Sequence, residues 1–164
     1  MFYGQTDYVC TPEGRKQKWW WLDTIFRGED YRPYFRVSDI HNRVKIGNES
    51  SADIFVSIHL NKIPQQQYDG WQTFYNAKNA EGQKLAVSIQ NNLNDAIQRE
   101  NNRVAKSIEN IYIVKHVEIP TTIVECGFLS NPAEEKRLLE DEYQNKLAWG
   151  IYNGIIDYFY EQSN

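Results

Sequence analysis

Cysteine is scarce in this chain, with only Cys10 and Cys126. They are far apart and form no C-x-x-C pair, so neither a zinc knuckle nor a disulfide framework is indicated, and one Cys10–Cys126 bridge is the only disulfide the sequence allows. No apolar run approaches the roughly eighteen residues needed to cross a bilayer, which excludes a membrane span. Between Met1 and Gly14 no charged stretch is followed by an apolar one, so no secretory signal is visible. Basic excess is also missing. The net charge is −4, which leaves no electrostatic footprint for nucleic acid. No internal repeat or low-complexity tract occurs.

What is present suits one globular domain. The chain has 164 residues, 41% of them hydrophobic and 14% aromatic, enough for one core and too few for two comfortable ones. Residues 1–36 are interrupted by Gly4, Pro12, Gly14, Gly28 and Pro33 and are expected to be mostly loop. Within them the triplet Trp19-Trp20-Trp21 is either tucked onto the core or an exposed contact site for a partner.

From residue 37 onward, strands and helices alternate. A helix is expected from a Ser38 cap to Gly47-Asn48, with Val37, Ile40 and Val44 on one face. Asp53 to Leu60 is a strand apolar on both faces, as a central strand between helices should be. Asn61 to Gly70 is a loop, Trp71 to Tyr75 a strand, and Leu85, Ile89, Leu93 and Ile97 mark an amphipathic helix. Ile111 to Val114 is predicted as a further strand. Leu147, Ile151, Ile155 and Phe159 mark a final helix. The fold class is therefore α/β, a three-layer open sheet, mostly parallel or mixed, with helices on both faces.

The stretch Ile119 to Pro132 carries the clearest functional signal. A short apolar run, Ile123-Val124, delivers Glu125 to a Gly-containing turn, and Asn131-Pro132 with Glu134 then caps a new helix. A carboxylate at a strand end is commonly half of an ion pair, and a lone histidine is commonly just a hydrogen-bonded one. His59, however, ends its own apolar strand as Glu125 does, and open α/β sheets bind ligands at the carboxyl ends of strands. The two side chains are expected on one rim.

The wording of both motifs, Ala52-Asp53-Ile54-Phe55-Val56-Ser57-Ile58-His59-Leu60-Asn61 and Val124-Glu125-Cys126-Gly127-Phe128-Leu129-Ser130-Asn131, resembles the zinc-dependent N-acetylmuramoyl-L-alanine amidases. The resemblance covers roughly Val37 to Phe159 and is closest to the spore-cortex amidases of endospore formers. It implies hydrolysis of the bond between N-acetylmuramic acid and the L-alanine of the stem peptide. Glu125 would be the catalytic carboxylate and His59 a Zn2+ ligand. Asn61 and Arg103 would bind substrate.

The chain also departs from the family pattern. The family's other two zinc ligands, a Gly-flanked histidine on the first strand and a glutamate after it, have no match here. Gln5-Thr6-Asp7 resembles the end of the family's second strand, so Met1 is expected to lie inside the domain, with the first strand and helix missing. Residues 37–164 are then a partial catalytic domain, expected to hold zinc weakly or not at all. Of the other donors, His41 is expected on the surface, His116 and Glu118 at the opposite end of the Glu125 strand, and Cys126 buried; Asp7 is the remaining one. The substrate places the protein outside the cytoplasmic membrane, at the cell wall or spore envelope, with a possible protein partner at the N-terminal region. The competing classes are a non-catalytic wall-binding or partner-binding domain, and a cysteine hydrolase using Cys126 with His59.

Overall fold

The computed structural model describes residues 6–10 and 33–163, with side chains from residue 39 onward. The Trp19-Trp20-Trp21 triplet lies outside the described residues. The elements run β1 (Thr6–Cys10), α1 (Pro33–Glu49), β2 (Ile54–Asn61), β3 (Gln72–Tyr75), α2 (Ala80–Ile97), β4 (Lys106–Ser107), α3 (Tyr112–His116), β5 (Thr121–Phe128), α4 (Pro132–Leu138) and α5 (Asp141–Gln162). Five strands form one sheet in the order β1-β2-β5-β3-β4. It is mixed: β2 and β5 are parallel, as are β3 and β4, while β1 on β2 and β3 on β5 are antiparallel.

Alternation along the central strands sends side chains to two faces. Ile54 and Val56 of β2 and Val124 and Cys126 of β5 point to a rear core. There they meet Leu85, Ile89 and Leu93 of α2, Leu138 of α4, and Leu147 and Ile151 of α5. Phe55 points forward into a smaller cluster with Val44 of α1, Ile113 of α3, and Val117. The front layer therefore covers the amino end of β2. Burial along β2 loosens toward its other end, where Ile58 to Asn61 are no longer fully enclosed.

Three sequence expectations need correction. Ile111 to Val114 is not a strand: Tyr112–His116 is a short helix, and the strand is the preceding Lys106–Ser107. A four-residue β-branched and aromatic run fits either state by pattern, and burial of Ile113 and Val114 against the front face decides for a helix. Residues 1–36, expected to be mostly loop, contribute β1 where Gln5-Thr6-Asp7 resembled a strand end; the strand runs on to Cys10 and pairs with β2 from Thr6↔Ile58 to Cys10↔Ile54. Helix α1 begins at Pro33 rather than after Ser38. A proline's fixed φ and missing N–H suit the first helical position. Among the described residues no helix is long and apolar enough to cross a membrane.

The rear helices are held unusually close at Gly154. A Cβ there would lie 2.5 Å from Ile89 Cα and 2.8 Å from Ile89 N, and Ser88 Oγ donates to Gly154 O at 2.8 Å. Gly154→Ala must push α2 from α5, an overpacking strain of about 1–3 kcal/mol. Denaturant unfolding should show that loss in midpoint with little change in slope.

Candidate functional site

The register of the two central strands brings the sequence candidates together. In the parallel β2–β5 pair His59 stands opposite Glu125, and in the antiparallel β3–β5 pair Gln72 stands opposite Glu125. Residues opposite one another share a face, so His59, Glu125 and Gln72 lie side by side on the front face at the carboxyl rim of β2 and β5. The front cluster sits around Phe55, at the other end of β2.

Just beyond this row the register shifts, and Asn61 pairs with Phe128. The extra residue in β5 is a bulge at Cys126-Gly127, of the kind that re-aims side chains near active sites. Gly127 lets the strand pack closely there: a Cβ would lie 2.8 Å from Glu134 Oε2 and 3.2 Å from Leu138 Cδ1, so those side chains would have to shift. Leu129 N donates to Asn61 O at 2.8 Å, which ties the two strand ends together beyond the bulge.

Glu125 is poised chemically. Its Oε2 is buried and has no hydrogen-bond partner among the described residues, and burial pushes its carboxyl up to about 7. His59 Nε2 and the buried Ser57 Oγ share a hydrogen bond of 2.7 Å. Cys126 is a free, buried thiol on the rear face. Burial, with the neighbouring Glu125 charge, pushes it up to about 12. A thiol that stays protonated and faces away from His59 is no nucleophile, which removes the cysteine-hydrolase reading.

Arg103 reaches the same rim from the segment after α2. Its Nε donates to Asp69 O at 2.9 Å and its Nη1 to Gln72 Oε1 at 3.1 Å. Its guanidinium lies 4.9 Å from the Phe128 ring centre and 5.9 Å from that of Tyr68. Gln72, Tyr68 and Phe128 were not singled out by sequence. Alternation gave one signal, since Trp71 and Thr73 are fully buried and the intervening Gln72 had to face the other way.

The loop between β2 and β3 is pinned from behind by a buried charge. Glu134 is 0% exposed; its Oε2 accepts from Gly70 N at 3.0 Å, and its Oε1 meets Arg99 Nη1 at 2.7 Å and the Arg137 guanidinium. Gly70 is followed by Trp71, whose Nε1 donates to Asn94 Oδ1 at 2.9 Å. Glu134 thus fixes the loop whose Asp69 carbonyl holds Arg103.

The other donors lie elsewhere. His41 is exposed, 4.7 Å from the Tyr112 ring; His116 stacks on Tyr112 at 3.9 Å. Because Phe55 pairs with Thr121, residues before 121 belong to the amino end of β2, and this includes His116 and the exposed Glu118. The backbone of Asp7 is opposite Ser57. Among the described residues no three His, Cys, Asp or Glu side chains converge to hold a metal. A catalytic zinc takes three protein ligands. His59 with Glu125 alone does not meet that need.

The N-acetylmuramoyl-L-alanine amidase family matches residues 24–157 of this chain. The germination-specific N-acetylmuramoyl-L-alanine amidase of Bacillus subtilis (strain 168) is 42% identical over 144 residues, 87% of this chain and 60% of that protein. An uncharacterized cell wall amidase of Bacillus anthracis is 33% identical over 137 residues, 78% of this chain and 25% of that protein. The chain therefore spans less than two thirds of the first of these curated relatives and a quarter of the second. Among solved structures, the CwlD amidase from Clostridioides difficile in complex with the GerS lipoprotein superposes with a TM-score of 0.74 at 39% identity, over 82% of this chain and 70% of that one.

Proposed function

The chain belongs to the N-acetylmuramoyl-L-alanine amidase family, and from that premise we propose that it hydrolyses the amide between the lactyl group of N-acetylmuramic acid and the L-alanine of the stem peptide. The observation that carries this reading is the pairing of His59 with Glu125, whose buried Oε2 lacks a partner. In this account Oε2 takes a proton from water as the water oxygen bonds to the amide carbon. Collapse of the tetrahedral adduct breaks the C–N bond, and Glu125 returns the proton to the departing amine. A carboxyl held near 7 suits both halves of that cycle at neutral pH.

His59 has the zinc-ligand role in the family pattern, and Asn61 and Arg103 are assigned to substrate binding. The described residues do not complete a zinc ligand set. Residues 37–164 constitute the catalytic region. The site of action is the cell wall or spore envelope, outside the cytoplasmic membrane. The solved relative's lipoprotein complex supports a protein partner for this chain as well.

That no metal-holding donor set is found among the described residues motivates one second reading, a wall-binding or partner-binding domain without turnover. Incubation with N-acetylmuramoyl-L-alanyl-D-isoglutamate and supplied Zn2+ separates the two. The expected products by mass spectrometry are N-acetylmuramic acid and the dipeptide; binding without release would favour the second reading.

A further inference from the structure

Four arginines have described side chains, and three of them meet carboxylates. Arg43 pairs with Asp39, and Arg99 and Arg137 pair with Glu134. Arg103 differs. Its assigned partners are the Asp69 carbonyl and the Gln72 amide oxygen, both neutral, together with two aromatic faces. No carboxylate among the described residues lies within ion-pair distance of it. Its remaining N–H groups have no hydrogen-bond partner among the described residues.

This cation is held in place rather than left to wander. Gln90 Nε2 donates to Arg103 O at 3.2 Å, and Arg103 N donates to Asn101 Oδ1 at 3.3 Å, so the backbone is fixed as well as the side chain. Gln72 is committed too: its Nε2 donates to Val104 O at 2.9 Å, which turns its oxygen toward Arg103. Gln72 in turn is the register partner of Glu125. A preorganised guanidinium with unused donors therefore stands one strand from the carboxylate assigned to the chemistry. Planar bidentate recognition of a carboxylate is what such a fork does best.

We propose that Arg103 is a specificity-determining clamp for a free carboxylate on the peptide side of the scissile amide, the α-carboxylate of the residue that follows L-alanine. This rests on the reading that the rim acts on muramoyl-peptide amides. Stems whose second residue is D-isoglutamate bind well, and stems amidated there to D-isoglutamine bind poorly, because the carboxamide brings no charge to the fork and leaves one of its donors facing another donor.

Isothermal titration of the Glu125→Gln chain, which leaves ligand intact, compares N-acetylmuramoyl-L-alanyl-D-isoglutamyl-L-lysine with its D-isoglutaminyl counterpart, so that the γ-carboxyl is blocked in both and only the α-carboxyl differs. The expected preference for the acid is about 10–100-fold, the usual worth of charge-assisted hydrogen bonds. Adding Arg103→Gln should bring the ratio to near unity, chiefly by lowering affinity for the acid; Arg103→Lys should keep part of the preference. Equal affinities in the Arg103 chain, an unchanged ratio in Arg103→Gln, or no binding of either ligand overturns the clamp. Turnover by the unsubstituted chain is scored separately. Preference without turnover contradicts the amidase reading and keeps the clamp, and turnover without preference contradicts the clamp alone.

Discussion

Glu125→Gln is expected to lower the proposed amide hydrolysis by roughly 10²–10⁴, the usual contribution of a positioned general acid/base. The substitution keeps size and shape, so His59 and Gln72 keep their neighbour, and what is lost is an oxygen able to take and return a proton. The same change has a stability signature. Glu125 in the folded chain holds its proton up to about 7, whereas its ordinary value is 4.5, so between those values the folded state binds more protons than the unfolded one. Stability therefore falls as pH rises through that window, and the penalty is fully present above it. At about 1.4 kcal/mol per unit the penalty is roughly 3 kcal/mol, and Glu125→Gln removes it. In metal-free protein the variant should unfold at higher denaturant than the parent at pH 8 and at nearly the same denaturant at pH 4. A variant with parental turnover would take the proton-transfer role away from Glu125.

The second large effect belongs to Glu134. Replacing it with alanine leaves Arg99 and Arg137 facing a buried void and removes the acceptor for Gly70 N. Breaking one side of a fully buried ion pair costs about 3–5 kcal/mol; here Arg99 and Arg137 are partly exposed and Arg99 keeps Asp69 at 3.6 Å, so the loss falls at or below about 3 kcal/mol. Domains of this size have about 5–15 kcal/mol in all, so Glu134→Ala should stay folded but unfold at a clearly lower temperature. Thermal unfolding followed by circular dichroism measures it. Unchanged midpoint would mean that the arginines find other partners and that the loop before Gly70 is anchored elsewhere.

Glu134 also marks where sequence reading ends. Asn131-Pro132 with Glu134 three residues on is a helix-start pattern, and the Asn131 half of it holds: its side chain accepts from Ala133 N and Glu134 N. The return contact from the Glu134 side chain is not made, because Gly70 and two arginines claim the carboxylate. Local spacing predicted the cap and puts Arg137 one turn from Glu134; the other two partners, Arg99 and Gly70, come from 35 and 64 residues away and have no local trace. His59 and Glu125 were legible for the converse reason. Each closes a strand whose apolar run is a local feature, and parallel pairing of β2 and β5 then places them opposite one another. Arg103 fell between these cases, since the family pattern singled it out but its seat on Phe128 and Gln72 depends on a bulge that no periodicity announces. The Ile111–Val114 error has the same origin. A run that short takes its state from what it covers, and it covers Phe55.

The central claim is that this rim cuts one amide. Digest purified peptidoglycan with the chain and supplied Zn2+, label the amino groups that appear, and identify the residue that carries the label. New amino-terminal L-alanine should appear in step with intact, lactyl-bearing glycan strands, and should be lost in Glu125→Gln. New reducing sugar ends, label on a residue deeper in the stem peptide, or no new termini at all would contradict it.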